Sequence, residues 1–326
     1  MDDWFFNNGW IRSEHYSEAM AERVLPFLAA RRENHTVRGE SDRPIACARF
    51  RVEQSKGTVV IVHGFTECLD KFSEVIYALL RAGYGVIALD QRGHGHSWRP
   101  DGLSDATVVH VDDFQEYVID LERVCAALLS DMPKPHILFA HSMGGAVSAF
   151  YLEKHPDTFD RAILCSPMIA PNRGGLPYWT TSAICKIAIA LGKRKTRAFV
   201  SKPYAGIEAF ETSCATGRAR FDWYEQLRAQ TPEYQTNGPT YGWTQQALQV
   251  TDALLARGKV ERIACPVRLY AAEDDNSVLP LPQKQFIERV KYGSYEKISG
   301  SKHEIYRSND DVVVPWWNDV LAFLNA

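Results

Sequence analysis

Apolar positions in this chain fall into two kinds of run. Val59-Val60-Ile61-Val62, residues 85–90, Ile137-Leu138-Phe139 and residues 161–167 are short and almost unbroken, as in strands buried on both faces. Between them lie amphipathic repeats. Phe72, Val75, Ile76, Leu79 and Leu80 follow i, i+3, i+4, i+7 spacing, and Phe114, Val118, Leu121 and Leu128 mark one face of a helix over 112–130. A third helical run, 146–154, follows the strand at 136–139. Ahead of the first apolar strand, a helical segment is expected over 16–31, and residues 47–52 and 58–63 read as an opening β-hairpin. Strands alternating with helices predict an α/β fold with a mostly parallel, doubly wound sheet. The alternation stops after Pro167, where a helical stretch rich in Trp, Tyr, Pro and Gly begins. It resumes at Ile263, with strands over 267–271 and 295–298. The expected organisation is a core in two parts, 1–167 and 263–326, with 168–262 inserted as a helical cap over the C-terminal edge of the sheet.

Composition narrows the classes. The chain has 326 residues, 45% of them hydrophobic, and a formal net charge of -3. That make-up suits a globular fold and gives no general attraction to nucleic acid. The seven cysteines are scattered without a C-x-x-C pair, which points to reduced thiols rather than a disulfide framework or a zinc site. The N-terminus opens Met-Asp-Asp-Trp, without the basic start of a secretory signal, and no apolar run nears the ~20 residues of a membrane span. A cytoplasmic protein is expected, with no metal or cofactor. Oligomeric state is left open.

The chemistry centres on Ala140-His141-Ser142-Met143-Gly144-Gly145, set between an apolar strand and a helix. A strand–turn–helix of this kind lifts a serine hydroxyl clear of the backbone as a nucleophile elbow. It also leaves the N–H of Met143 free at a helix start to hold an oxyanion. Ala140 stands where glycine is usual in G-x-S-x-G. A chance serine in a plain turn is the alternative, and the rest of the set weighs against it. Only two histidines follow Ser142. His155 precedes a proline at a helix end. His303 lies in a Gly- and Ser-containing loop after a strand, where an open parallel sheet builds its site. The acid falls among Glu273-Asp274-Asp275, with Asp275 favoured because Asp-x-x-Val returns an apolar residue to the core, and Asp274 the alternative. His63-Gly64-Phe65 ends an apolar strand and offers the N–H of Phe65 as a second oxyanion donor.

These motifs together resemble the lysophospholipase and monoacylglycerol lipase group of serine α/β-hydrolases, in particular its bacterial lysophospholipase branch. Asp90-Gln91-Arg92-Gly93-His94-Gly95-His96-Ser97 is similar to that group's D-x-R-G-x-G-x-S, and Gly238-Pro239-Thr240-Tyr241-Gly242-Trp243 to its G-G-P-T-x-x-W, with Asn237 in place of the first glycine. Gly300-x-x-His303-Glu304 resembles its histidine motif, and that branch accepts alanine at position 140. The likeness runs from about residue 45 to the end. It implies the α/β-hydrolase fold, a triad of Ser142, Asp275 and His303, and an oxyanion hole from Phe65 and Met143. His94 and His96 lack a third ligand for a metal, so a structural turn braced by Arg92 is the expected role of the 90–97 motif.

The expected activity is hydrolysis of carboxylic esters of monoacyl lipids. A general carboxylesterase, thioesterase or peptidase uses the same machinery, and a non-catalytic binding protein is the remote alternative. Within the insertion, Ile184, Ile187, Ala188 and Leu191 share helical spacing, and Lys193-Arg194-Lys195-Thr196-Arg197 follows. Such a face either packs inward as core or rests on an anionic membrane surface.

Overall fold

The structure, a computed structural model, describes residues 3–199 and 201–326. Its centre is an eight-stranded sheet in the order β1-β2-β4-β3-β5-β6-β7-β8. The strands are β1 Arg32–Arg38, β2 Pro44–Phe50, β3 Thr58–Val62, β4 Gly85–Leu89, β5 His136–His141, β6 Arg161–Cys165, β7 Val267–Asp274 and β8 Gly293–Lys302. From β4 to β8 all neighbours are parallel, while β1 and β2 run antiparallel at one edge. This is the α/β-hydrolase arrangement expected from the motifs.

The opening hairpin is a correction. Residues 44–50 pair with β1 and β4, and never with β3, whose two edges are taken by β4 and β5. The hairpin partner is β1, Arg-Glu-Asn-His-Thr-Val-Arg. An edge strand needs little apolar surface, so its polar sequence leaves no strand signal. The unbroken Val59-Val60-Ile61-Val62 instead marks β3 as central and covered on both faces.

Strand alternation divides the core into two layers. Val60, Val62, Leu138, Ala140 and Leu164 face α4 Gln115–Leu128, α5 Met143–Lys154 and α9 Pro280–Ile287. Val59, Ile61, Ile137, Phe139 and Ile163 face α3 Ser73–Arg81 and α10 Asp310–Asn325. The N-terminal helical run, α1 Tyr16–Ala19 and α2 Leu25–Ala29 joined through a π turn, completes the second layer. Trp10 is fully buried against Trp316 and Trp317 there.

Among the described residues, 168–262 adds no strand to the sheet. It carries α6 Tyr178–Ala190, α7 Arg218–Gln230 and α8 Tyr241–Leu254. Buried Arg220 pins α7 to Glu74 at 2.9 Å and to Asp310 at 2.8 Å. Thr240 caps α8 by accepting from the N–H of Trp243. Helix α6 packs inward through Thr181, Ser182, Cys185 and Ala188. Of the apolar face read from its spacing, only Ala188 is buried; Ile187 and Leu191 are 62% and 70% exposed, beside Trp179 at 72%. Small side chains on the inner face let α6 approach α8, where Ser182 donates to Gln245 at 3.3 Å. No helix among the described residues is long and apolar enough to cross a membrane.

Candidate active site

Strand β5 ends at His141, and Ser142 turns the chain into α5 with φ 50° and ψ −117°. A non-glycine residue holds this backbone only where its surroundings over-determine it. The turn is locked on several sides. The N–H of Ser142 donates to the carbonyl of Cys165 at 3.0 Å, and its own carbonyl accepts from Gly145 and Met168. A Cβ on Gly144 would lie 2.2 Å from the carbonyl oxygen of Val62, and one on Gly145 2.5 Å from Pro167 Cβ. The need for small residues after the serine thus comes from the neighbouring strands.

Three predicted side chains meet. Asp275 Oδ2 accepts from His303 Nδ1 at 2.7 Å, which leaves His303 Nε2 to accept from the Ser142 hydroxyl at 2.8 Å. The Asp275 Oδ1 atom accepts from the N–H groups of Ser277 and Val278 at 2.8 and 3.0 Å. Burial pushes this carboxyl up in pKa, but the His303 hydrogen bond and charge and the two N–H donors overcome that and hold it below the usual value. Asp274 is exposed at the end of β7, so Asp275 is the carboxylate that reaches His303. Both sit just past the C-terminal ends of β7 and β8, as does Ser142 past β5.

The N–H groups of Phe65 and Met143 have no acceptor among the described residues. Gly64 brings the first of these loops against the elbow, where a Cβ would lie 2.9 Å from Ser142 Cβ. The Phe65 ring packs on Trp243 of α8 with centroids 4.1 Å apart. On the other side of these three side chains, Cys214 accepts through its carbonyl from the N–H of Glu304 at 3.0 Å.

The 90–97 motif has a framework role. Asp90 accepts from the N–H groups of Leu69 and His96 at 2.7 and 2.9 Å. Arg92 forks onto Asp120 of α4 at 2.6 and 2.8 Å, with Glu116 beside it. It therefore braces a helix, as well as the carbonyl of Glu40 in the β1–β2 turn. His94 and His96 diverge, one to the Arg92 carbonyl and the other to the Tyr234 hydroxyl.

A buried cluster beneath Ser142 and His303 escaped the motif reading. Lys71 lies 3.1 Å from Glu67 and 2.6 Å from Glu304, Arg307 pairs with Glu304 at 2.5 Å, and Tyr306 donates to Glu67 at 2.6 Å. The opposite charges at Glu67 and Lys71, four apart, were the available signal. Nothing local distinguishes them from an exposed helical pair.

The family model described as Hydrolase_4, serine aminopeptidase S33, matches residues 53–310. This chain belongs to that family. Its full-length relatives include lysophospholipase L2 of Escherichia coli, 29% identical over 97% of this chain and 94% of the relative. The monoacylglycerol lipase of Mycolicibacterium smegmatis is 31% identical over 42% of this chain and 45% of its own. A soluble variant of the monoglyceride lipase of Saccharomyces cerevisiae, solved with a substrate analog, shares the fold, with a TM-score of 0.69 at 19% identity over 90% of this chain and 96% of that one. The chain is a serine hydrolase of the carboxylic-ester class, on the Hydrolase_4 fold.

Proposed function

We propose that this Hydrolase_4 enzyme cleaves the acyl ester of monoacyl lipids, lysophospholipid or monoacylglycerol, through an acyl-enzyme on Ser142. One observation carries the reading: the unbroken hydrogen-bonded line from Asp275 through His303 to Ser142 beside two unpaired backbone N–H groups. Ser142 Oγ attacks the ester carbonyl as His303 Nε2 takes its proton. The developing oxyanion accepts from the N–H of Phe65 and of Met143. His303 returns the proton to the departing alcohol, then takes one from the attacking water and passes it to Ser142 Oγ as the acyl bond to Oγ breaks and the fatty acid leaves. Asp275 keeps the imidazole in the required tautomer throughout.

Lipid rather than peptide is favoured by the carboxylates around the triad. An amino-terminal peptide needs an available carboxylate to pair with its ammonium group. Glu67 and Glu304 are already paired with Lys71, His141 and Arg307. The full-length likeness to lysophospholipase L2 supports the same substrate class. The insertion 168–262 serves as a cap, with Trp243 against the oxyanion loop and Cys214 against the histidine loop.

Exposed Trp179, Ile187 and Leu191 suit that cap to an anionic bilayer, helped by Lys186 and Lys193, whose side chains have no ionic partner among the described residues. The rest of the basic run is engaged in the fold. Arg197 pairs with Asp105 at 2.6 Å, Arg194 with Asp112 at 3.3 Å, and Lys195 donates to the carbonyl of Asp101 at 2.7 Å.

A Ser142→Ala protein should retain its fold and lose ester turnover, down to at most the ~10³–10⁴-fold over water that binding and an oxyanion hole sustain. Assay on lysophosphatidylcholine, monoacylglycerol and p-nitrophenyl esters of increasing chain length tests the substrate class. Near-normal turnover by the alanine variant removes the mechanism, and a preference for short esters over both lipids removes the lipid assignment.

A further inference from the structure

His141 lies directly beneath the candidate triad, 1% exposed, with its ring 4.9 Å from that of His303. Its two ring nitrogens have definite partners. Nδ1 is 2.8 Å from Glu67 Oε2, and Nε2 is 3.2 Å from the backbone carbonyl oxygen of His303. A carboxylate and a carbonyl both accept and neither donates. A neutral imidazole has one N–H, so it would leave a nitrogen lone pair aimed at an oxygen lone pair in a site closed to water. Only the doubly protonated ring satisfies both contacts. Glu67 is fixed as a carboxylate by further donors: the N–H of Gly64, the Tyr306 hydroxyl and the Lys71 ammonium.

We infer that His141 is held as an imidazolium and acts as a positioning residue that ties the base loop to the oxyanion loop. One N–H anchors the carbonyl of His303. The other anchors Glu67, which accepts from the N–H of Gly64, next to the Phe65 donor. The inference rests on the proposed roles of His303 and Phe65. The tie fixes the distance between the group that moves the proton and the group that receives the negative charge. Because its charge is permanent at neutral pH, His141 leaves proton transfer to His303.

The groups around the ring agree with this state. Glu67 faces Nδ1, the His303 carbonyl faces Nε2, the Tyr306 ring stands edge-on at 5.3 Å and Phe72 lies at 6.5 Å. Lys71 opposes a second positive charge, but it is shared between Glu67 and Glu304, and Arg307 also pairs with Glu304. Burial alone would lower the His141 pKa; the charge and hydrogen bond of Glu67, with Glu304 beyond, more than offset it and raise the value.

Two measurements test the assignment. In ¹⁵N-histidine-labelled Ser142→Ala protein at pH 7.5, the His141 ring should show two protonated nitrogens. Its signals are identified by their loss in Ser142→Ala/His141→Gln. A neutral ring, with one protonated nitrogen, overturns the proposal, and this readout needs no turnover. In the active enzyme, His141→Gln should lower kcat on a soluble ester about 10- to 100-fold with little change in KM, the effect of misplacing reacting groups. Wild-type kcat should also fall at alkaline pH, where His141 loses its proton, and His141→Gln should lack that fall. An alkaline limb retained unchanged in His141→Gln overturns the positioning role. Failure of the parent reading looks different: turnover would survive in Ser142→Ala, whatever the state of His141.

Discussion

Two regions of this enzyme reverse the usual division between interior and surface, and they do so in opposite directions. Below Ser142, Glu67, Lys71, His141, Glu304 and Arg307 are all withdrawn from water. On α6, Trp179, Ile187 and Leu191 are exposed while Thr181 and Ser182 face inward. Buried charge is costly unless every group is paired, and exposed apolar area is unfavourable unless something covers it. The interior cluster meets its condition within the chain. It has alternating signs, backbone N–H donors and tyrosine, and the result is a fixed platform beneath the loops proposed to be catalytic. Among the described residues nothing covers the α6 face, which is why it is read as a surface for the bilayer. Departures from the hydrophobic rule therefore mark both halves of the proposed function, the chemistry and the delivery of substrate.

The largest effect that could break this comparison is at the edge of the interior region. Asp275→Asn should reduce kcat by about 10⁴-fold, since the histidine then loses its tautomer control, whereas Asp274→Asn should stay within about threefold. Steady-state rates of the two purified variants check it; the reverse order would move the acid to Asp274.

Next is the platform itself. Lys71→Met should destabilise the fold by about 2–3 kcal/mol at pH 7, measured by urea unfolding, because it removes the shared cation of Glu67 and Glu304 and leaves each with a single partner, His141 and Arg307. The loss should shrink in acid. Burial raises the Glu304 pKa, but Lys71 and Arg307 overcome it and bring it down to about 2. A carboxyl depressed in the folded state stabilises above its unfolded value, near 4.5, and loses that contribution as the pH falls toward 2. A penalty equally large at pH 3 would mean that the charges are not what Lys71 satisfies.

At α6, Trp179→Ser/Ile187→Ser/Leu191→Ser should cut sedimentation with phosphatidylglycerol vesicles about tenfold, while turnover of a short soluble ester stays within about twofold. Lys186→Gln/Lys193→Gln should lower the same binding less, and only at low salt. Equal sedimentation of the triple variant and wild type would leave the α6 face without its proposed occupant.

The smallest effect compares a carboxylate that is paired with one that is not. Glu153 on α5 is 4% exposed, and one of its oxygens lacks a hydrogen-bond partner among the described residues. Burial pushes its pKa up to about 7, partly offset by Lys259, Arg262 and Arg289. A raised carboxyl is penalised increasingly as pH climbs from 4.5 to 7, so Glu153→Gln should stabilise the fold by about 1 kcal/mol at pH 8 and by almost nothing at pH 5. Thermal melts at the two pH values test the sign.

Much of the fold was legible along the chain because parallel strands buried on both faces write continuous apolar runs, as in β3, β4, β5 and β6. The strained turn at Ser142, the loop of His303 and the loop after β3 that carries Phe65 were legible as positions for a related reason. Each needs a particular residue at a strand's C-terminal end, with small neighbours where backbones approach within contact. Strand β1 was not legible, since a polar edge strand is defined by its partner. The pairing of β2 with β4 rather than β3 was equally hidden, because sheet order is a long-range choice. Asp275 and Asp274 differ in sequence by one position, and only the turn after β7 decided which one faces His303. The platform of Glu67, Lys71, His141, Glu304 and Arg307 belongs wholly to tertiary structure. Its members come from three distant segments, and a charge reads as solvated until the fold surrounds it. Helix α6 shows the same limit from the apolar side. Its spacing determined that it is a helix with an apolar face, and packing through small residues against α8 decided that this face points outward.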